Sequence, residues 1–422
     1  MTGAVLANAS RVHPQRQVSP ILRIPCEITS EIFQHCMPED EFPPPTVISA
    51  PVLLSRVCSG WRKMAIGTPR LWSKILLSST HNFEDTDASF PTNMEFQAVA
   101  LEVWMKRATS LQLSVHLHYP TLPALPISEL QFDKLPPVFR VIVGNAGRWK
   151  DLRLSLPRKY VPYAWNLTQQ SGSNLESFDI NDTSIPTSGP AANGAIPVFL
   201  RADTAETLTA LSVRALLFYA SSKPLPFVRL RILFLTYSYP DGCLTLLKYC
   251  PVLEDLTLHF NDLRDELTPA DQPILLSQLR TFHLSHTANG DDEDRDFVAG
   301  CEIGMLLDSL ELPNLKGFYL WMTIAGYDIY EDPEIPWDYL CRLITRSNCA
   351  LTELELRASY MDTASIVKCV QLSPDLKYVG IPRGEELEDE VRRLLPSLQS
   401  LRTFEELAQR VISQRFTFNF TF

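Results

Sequence analysis

The sequence predicts an α+β or α/β protein in which a small helical module precedes a long, curved array of short parallel strands. Between residues 24 and 65, apolar residues recur at helical spacing between prolines. After residue 145, a short pattern of alternating apolar residues returns again and again. The chain also has 32 prolines against 16 glycines, which favours many short elements separated by sharp turns.

The helical module contains two stretches of helical spacing and a short apolar end. Isoleucine and phenylalanine form one apolar stripe over residues 24–33, and Pro38 must end that helix. After a proline-rich spacer at residues 39–50, residues 53–65 resume the spacing until Gly67 and Pro69 stop it. Three short helices bury little surface alone, so we expect their large apolar groups to need a partner.

The order of motifs in this module resembles the F-box family. Residues 24–28 read IPCEI, residues 32–33 read IF, residues 57–62 read VCSGWR and residues 69–72 read PRLW. The family pattern has the same sequence of features, with leucine at the position of Ile24. The module looks especially like F-boxes of mushroom-forming (basidiomycete) fungi, and it covers roughly an eighth of the chain.

The resemblance implies that the module binds a Skp-type adaptor, which joins a cullin scaffold in a ubiquitin ligase. Apolar residues of the three helices would insert into the adaptor's helical groove. The residues that the resemblance assigns to adaptor binding are Leu22, Ile24, Pro25, Ile28, Ile32, Phe33, Leu54, Val57, Trp61, Leu71 and Trp72.

The spacer at residues 39–50 is longer than in compact F-boxes. It is either a harmless surface loop or an insertion that crowds the docking face. The alternative to the whole assignment is an ordinary helical subdomain packed on the rest of the chain.

The sequence after residue 145 repeats the pattern apolar-x-x-apolar-x-apolar. Such a unit places alternate side chains of a short strand inward and must stack on its neighbours to bury them. The spacing is 22–26 residues in several places and 36 in two, and a weaker copy lies at residues 113–117. Copies begin at Trp149, Leu175, Leu208, Leu230, Leu253, Leu279, Leu315, Leu351 and Leu376.

These copies resemble degenerate leucine-rich repeats, which F-box proteins often carry. In that family an Asn or a small hydroxyl residue usually stands three residues after the last strand leucine. Six of the nine copies comply, and the alternative is a helical array of the HEAT type. The complying residues are Thr183, Ser238, Asn261, Thr287, Thr323 and Ser359.

The side chain between the last two apolar positions of each copy is expected on the concave side of the array. Aromatic and arginine side chains often dominate binding energy at interfaces. The sequence therefore nominates four residues as substrate-binding candidates, which are Phe234, Tyr319, Trp321 and Arg357.

These patterns divide the chain into five segments. They are a disordered tail (1–19), the F-box (20–77), a helical linker with a first irregular repeat (78–145), the repeat array (146–415) and a C-terminal capping strand (416–422).

Composition argues against several functions. Residues 1–80 carry eight Lys and Arg against five Asp and Glu, whereas the remainder carries 30 against 44. That acidic body lacks the clustered positive charge that nucleic acids require. The nine cysteines form no CxxC pair, and no nucleotide, hydrolase or metalloprotease motif occurs. We therefore expect no catalytic residues, metal or cofactor.

No signal peptide and no apolar run long enough to span a membrane are visible. The expectation is a cytoplasmic or nuclear protein without membrane or nucleic-acid partners. The resemblance implies a non-catalytic substrate-recognition subunit of a Skp-cullin-F-box ubiquitin ligase. It would join the adaptor and cullin to an unidentified protein substrate. The alternative is a ligase-independent interaction scaffold.

Overall fold

A computed structural model describes most of the 422-residue chain. The described residues are 23–37, 42–78, 90–119, 136–161, 174–183, 202–214, 226–237, 240–260, 272–287, 302–323, 337–358 and 361–404. The predicted tail at 1–19 and the predicted capping strand at 416–422 lie outside them.

In the described part of the chain, the dominant element is a parallel sheet of twelve strands, in which each strand pairs with the strand of this sheet that follows it in the sequence. This sequential order arises because every copy of the apolar pattern stacks on the preceding copy. The strands are β1 (Lys74–Ser78), β2 (Leu113–His118), β3 (Trp149–Leu156), β4 (Ser177–Asp182), β5 (Ala210–Arg214), β6 (Ile232–Tyr237), β7 (Asp255–Phe260), β9 (Thr281–Thr287), β11 (Gly317–Thr323), β12 (Glu353–Ala358), β13 (Tyr378–Pro382) and β14 (Ser400–Phe404). Two further short strands, β8 (Ile274–Leu275) and β10 (Leu310–Glu311), form a separate parallel pair.

All nine copies of the repeat predicted from sequence form strands of this sheet, and the weaker copy at 113–117 forms β2. Two strands of the sheet lie outside the nine predicted copies and the weaker copy. The first strand, β1, lies inside the segment assigned to the helical module, and β14 was not recognised. Both strands have a single partner in this sheet.

The buried side of the sheet is built from columns of apolar side chains in register. Leu152, Phe178 and Leu211 are paired across β3, β4 and β5, and the column continues without interruption to β13. Phe282 and Phe318 meet edge to face in this column, with ring centroids 5.5 Å apart. The register follows from the pattern, because a shift by one residue would turn every apolar side chain outward.

Helices cover the buried side and return the chain to the start of the next strand. The sequence before Pro251, Pro313 and Pro374 predicts short helices at residues 245–249, 303–310 and 364–372, and the structure has helices that overlap all three ranges. The helices are α1 (Cys26–His35), α2 (Leu54–Val57), α3 (Ser59–Ile66), α4 (Phe90–Arg107), α5 (Pro137–Gly144), α6 (Ala202–Thr207), α7 (Pro240–Leu247), α8 (302–308), α9 (Tyr339–Ser347), α10 (Thr363–Gln371) and α11 (Glu385–Leu394). None of the helices in the described ranges is both long and apolar enough to cross a membrane.

The helical module, comprising α1–α3 and a 3₁₀ turn at Pro69–Trp72, shares the core of the sheet. Trp72 is fully buried, and its indole donates a hydrogen bond of 2.8 Å to the carbonyl of Ala65. Its ring meets Trp104 of α4 edge-on at 4.7 Å, and Trp104 donates to the carbonyl of Lys74. The module is therefore packed on the array and continues directly into β1.

The described part of the spacer also packs on the sheet. The amide of Leu76 in β1 donates a 3.0 Å hydrogen bond to the carbonyl of Pro43, which pairs a backbone group at the first edge of the sheet. Phe42 is buried, with its ring 5.7 Å from His116 and below the guanidinium of Arg153 at 4.8 Å. This half of the spacer is thus a structural part of the array.

The inward columns yield a stability prediction. Phe282→Ala should lower the free energy of unfolding by about 3–5 kcal/mol, because it leaves a cavity in the centre of the core. Thr281→Ala, on the opposite side of the same strand, should cost about 1 kcal/mol or less. Guanidinium unfolding midpoints measure both, and equal losses would contradict the assigned packing.

Candidate interaction surfaces

The helical module exposes apolar side chains on two of its helices. In α1, Ile28 and Ile32 lie one turn apart on the same side of the helix, and they are 54% and 44% exposed. Val57 at the end of α2 is 57% exposed, and Leu53 immediately before this helix is also exposed. Apolar groups of this size, left in solvent on short helices, mark a candidate interaction surface.

The other sequence-predicted adaptor residues that the structure describes are exposed, half-buried or buried. Pro25 is exposed, whereas Ile24 is half-buried. Trp61 is also half-buried, because its ring packs against Phe33 with centroids 4.9 Å apart. Leu22 lies outside the described residues.

For four of the predicted contact residues, the structure corrects the prediction that they meet an adaptor. Phe33, Leu54, Leu71 and Trp72 are buried in the chain's own core and present almost no side chain to a partner. Trp72 packs against Trp104 of α4, whereas Phe33 packs against Trp61 within the module. Apolar spacing alone cannot tell a face that meets the array from one that meets solvent.

Several exposed apolar residues were missed from the sequence. Leu53, Val47 and Ile48 lie in or beside the spacer, and Ile66 ends α3. A signal existed for Leu53 only, since it stands four residues before Val57.

The second candidate surface is the sheet face opposite the helices, here called the open face. The side chains predicted for the concave side do form one row across it, from Arg153 in β3 to Gly380 in β13. The register extends this row to His116 in β2 and Arg402 in β14.

The first strands of the open face are polar. Arg214 pairs with Asp179 through two hydrogen bonds, and Arg153 donates to Asp151 at 3.3 Å. Burial raises the pKa of Asp151, whereas the adjacent Arg153 acts in the opposite direction. Arg214 therefore pairs with a carboxylate of the neighbouring strand β4, whereas Arg153 pairs with a carboxylate of its own strand β3.

His116 stands in the same polar region. Burial lowers the pKa of His116 to about 4, and the charges of His118, Arg153 and Arg214 act in the same direction, against Asp179. The imidazole is therefore neutral at physiological pH.

The last strands of the open face are rich in aromatic side chains. Tyr319 stacks on His283 with ring centroids 4.2 Å apart and an interplanar angle of 9°, and its hydroxyl donates to Glu353. Burial and the neighbouring carboxylates raise the pKa of Tyr319 well above its usual value. Burial lowers the pKa of His283, so a neutral imidazole faces the Tyr319 ring.

Glu355 is the centre of a hydrogen-bonded group that we call the Glu355 cluster. One carboxylate oxygen accepts from Trp321 Nε1 at 3.0 Å and from Arg357 Nε at 2.8 Å, and the other accepts from the Tyr378 hydroxyl at 2.6 Å. Burial and this bond raise the pKa of Tyr378 to about 12. Phe404 completes the cluster by packing against Arg357.

Gly380 makes the Glu355 cluster possible. A Cβ atom at this position would lie 2.9 Å from Glu355 Cγ and 2.9 Å from Phe404 Cε2. Any side chain here would therefore push the carboxylate and the ring apart.

Three of the four predicted substrate-binding residues come together in or beside this cluster, namely Tyr319, Trp321 and Arg357. The structure corrects the prediction for Phe234 as a substrate-binding residue. Phe234 lies in the same row but is only 8% exposed, so it offers little surface to a partner. Tyr378 and Phe404 were missed, since their proximity to Arg357 depends on strand register and not on sequence spacing.

Within the described ranges, no group of three or more His, Cys, Asp or Glu side chains could hold a metal ion. His283 and His286 point to opposite sides of β9, as strand alternation requires. A scan against protein-family models found no match, and a search of curated proteins found none either.

The burial of Trp72 leads to a prediction that separates core from surface. Trp72→Ala should lower the free energy of unfolding by about 3–5 kcal/mol, because it removes a buried ring and its hydrogen bond. Chemical denaturation tests this change. A variant as stable as the parent protein would place Trp72 on the surface.

His116 predicts an acid-dependent loss of stability. Its pKa of about 4 in the folded chain lies below the ordinary value of 6.5, so the unfolded chain binds the proton more readily. This site destabilises the fold increasingly as pH falls from 6.5 to 4, by up to about 3 kcal/mol. His116→Gln should flatten the stability profile over that interval, with the exposed His35→Gln as control. An unchanged profile in His116→Gln would contradict the assignment.

Proposed function

We propose that the helical module is an F-box and that the sheet array is a set of degenerate leucine-rich repeats. The chain then acts as the substrate-recognition subunit of a Skp-cullin-F-box ubiquitin ligase. The observation that carries this proposal is the pair of short helices whose isoleucine, leucine and valine side chains stay exposed beside the motif residues. Such side chains suit insertion into the helical groove of an adaptor.

The order of the two parts supports the same function. The module is anchored to the start of the array through buried tryptophans, while its exposed apolar residues remain available. The array presents a long open face with aromatic and arginine side chains at one end. One end can thus bind a ligase adaptor while the other binds a protein to be modified.

A ligase-independent scaffold is the second candidate, and the spacer favours it. Val47 and Ile48 remain 52% and 80% exposed in this insertion, close in sequence to the exposed Leu53 and Val57. If these extra groups obstruct the adaptor or cullin, the array would bind its partner without promoting ubiquitin transfer.

Adaptor binding predicts a strong effect of charge on the exposed apolar residues. Ile28→Asp and Val57→Asp should each reduce recovery of a purified Skp-type adaptor by about tenfold or more, because the carboxylate would be buried without a partner. Quantitative co-purification of the full chain with the adaptor measures the effect. Trp61→Ala is a poorer probe, since Trp61 also packs on the buried Phe33.

Phe96→Asp is the matched control. Phe96 is 70% exposed on α4, so it tests whether any charge on an exposed apolar site weakens adaptor binding. Undiminished recovery with both Ile28→Asp and Val57→Asp would refute adaptor docking at this surface. Equal losses in all three variants would refute a specific site.

The half-lives of bound proteins separate ligase from scaffold. Deleting residues 20–72 would remove core residues such as Phe33 and Trp72, so the Ile28→Asp/Val57→Asp double variant is the better comparison. If the chain is a ligase subunit, a protein that it binds should have a longer half-life in cells that carry the double variant. Unchanged half-lives would favour the scaffold.

A further inference from the structure

We propose that Arg357 is an anchoring site for a carboxylate side chain of an acidic peptide segment. The inference rests on the proposed function, in which the open face binds a protein substrate. It specifies which chemical group of that substrate binds at one position of the open face. It depends on how the guanidinium is held, on which of its nitrogens are engaged, and on the surrounding charge.

Two aromatic rings clamp the guanidinium of Arg357. Its central carbon lies 4.4 Å from the centroid of the Trp321 ring and 3.7 Å from that of Phe404. Both distances fall within the range of cation–π attraction, which is strongest for a partly desolvated cation. Trp321 is the cross-strand partner of Arg357, and Phe404 comes from the terminal strand β14. The orientation of the guanidinium is therefore fixed before any ligand arrives.

Only one guanidinium nitrogen is used inside the cluster. Nε donates to Glu355 at 2.8 Å, whereas the two terminal nitrogens donate to no residue in the described part of the chain. The Arg357 side chain is 21% exposed and that of Glu355 is 6% exposed, so the carboxylate is enclosed while the arginine reaches solvent. The terminal nitrogens are a preorganised pair of donors that matches a carboxylate.

Glu355 does not need these terminal donors. Its two oxygens already accept hydrogen bonds from Trp321, Tyr378 and Arg357 Nε. The internal network is therefore complete without the terminal nitrogens, whose hydrogen-bonding capacity is left for another molecule.

Three other arginines of the array donate hydrogen bonds from two guanidinium nitrogens to groups of the chain itself. Arg231 pairs with Glu254 through two bonds of 2.8 and 2.9 Å. Arg214 makes two bonds to Asp179, and Arg346 donates to two backbone carbonyls, those of Leu307 and Leu310. Arg357 differs in that its rigid support comes from rings and from Nε alone.

The local charge favours a carboxylate over a phosphate. Glu355 neutralises much of the Arg357 charge, and the exposed Glu353 lies on the same face of β12. Arg402, 5.1 Å from the Phe404 ring centroid, supplies one further cation. A single negative charge can be matched by these groups, whereas a phosphate at nearly −2 would meet stronger repulsion from the two glutamates.

The test uses pools of random peptides with a fixed central residue, which is glutamate, glutamine or phosphoserine. Binding of each pool to the full-length chain is measured by fluorescence anisotropy. The glutamate pool should bind about fivefold more tightly than the glutamine pool and more tightly than the phosphoserine pool. Equal binding of the glutamate and glutamine pools would overturn the proposal, and so would preference for phosphoserine.

Variants assign this preference to the guanidinium. Arg357→Gln should abolish the preference for glutamate, and Arg357→Lys should retain only part of it, because lysine keeps the charge without the fork. Arg231→Gln, which removes an arginine already paired, should leave the preference intact. A preference that survives in Arg357→Gln would place the anion elsewhere.

Adaptor co-purification with the same variants keeps the two proposals separate. Arg357→Gln should bind the Skp-type adaptor as the parent chain does, which also shows that the variant is folded. A parent chain that prefers glutamate peptides but captures no adaptor would overturn the ligase role alone. Adaptor capture without a glutamate preference would overturn the Arg357 site alone.

Discussion

The parallel register of the inward apolar columns is the constraint on which the rest of this molecule depends. Each strand places two or three side chains against those of its neighbours, and no single repeat could bury them alone. The column that passes through Leu152 and Phe282 keeps its register from strand to strand along the sheet. Because alternate residues must face the other way, the same register also aligns the row on the open face.

Continuity of this core explains how the helical module is held. Trp72 and Trp104 join the module to the first strands, and the spacer supplies Pro43 to the edge of β1. The apolar residues of the module therefore fall into two sets that differ in exposure. One set is buried in the core of the chain, and the other, represented by Ile28 and Val57, stays in solvent. Exposed apolar groups that cluster in this way are typical of interaction surfaces.

The open face is chemically unequal along its length. Near its first strands, Arg214 is paired with Asp179 of the neighbouring strand and Arg153 with Asp151 of its own strand, and the ring of Phe42 packs against His116 and Arg153. Near its last strands, aromatic rings hold Arg357 without using all of its donors. Rigid rings and a preoriented cation lose little conformational entropy on binding, which makes this end the better candidate for recognition.

The sequence by itself determined the local elements and the repeat. The spacing of leucines and prolines predicted all nine central strands, the helices that precede Pro251 and Pro374, and the row of side chains on the open face. Those features depend on alternation and helical periodicity, which are properties of a short window of residues. Only the tertiary structure decided that Trp72 and Leu71 are core residues, that β1 belongs to the sheet, and that Phe404 meets Arg357. Such contacts join residues far apart in the chain. They depend on which apolar face meets another element, and the spacing within one segment does not encode that choice.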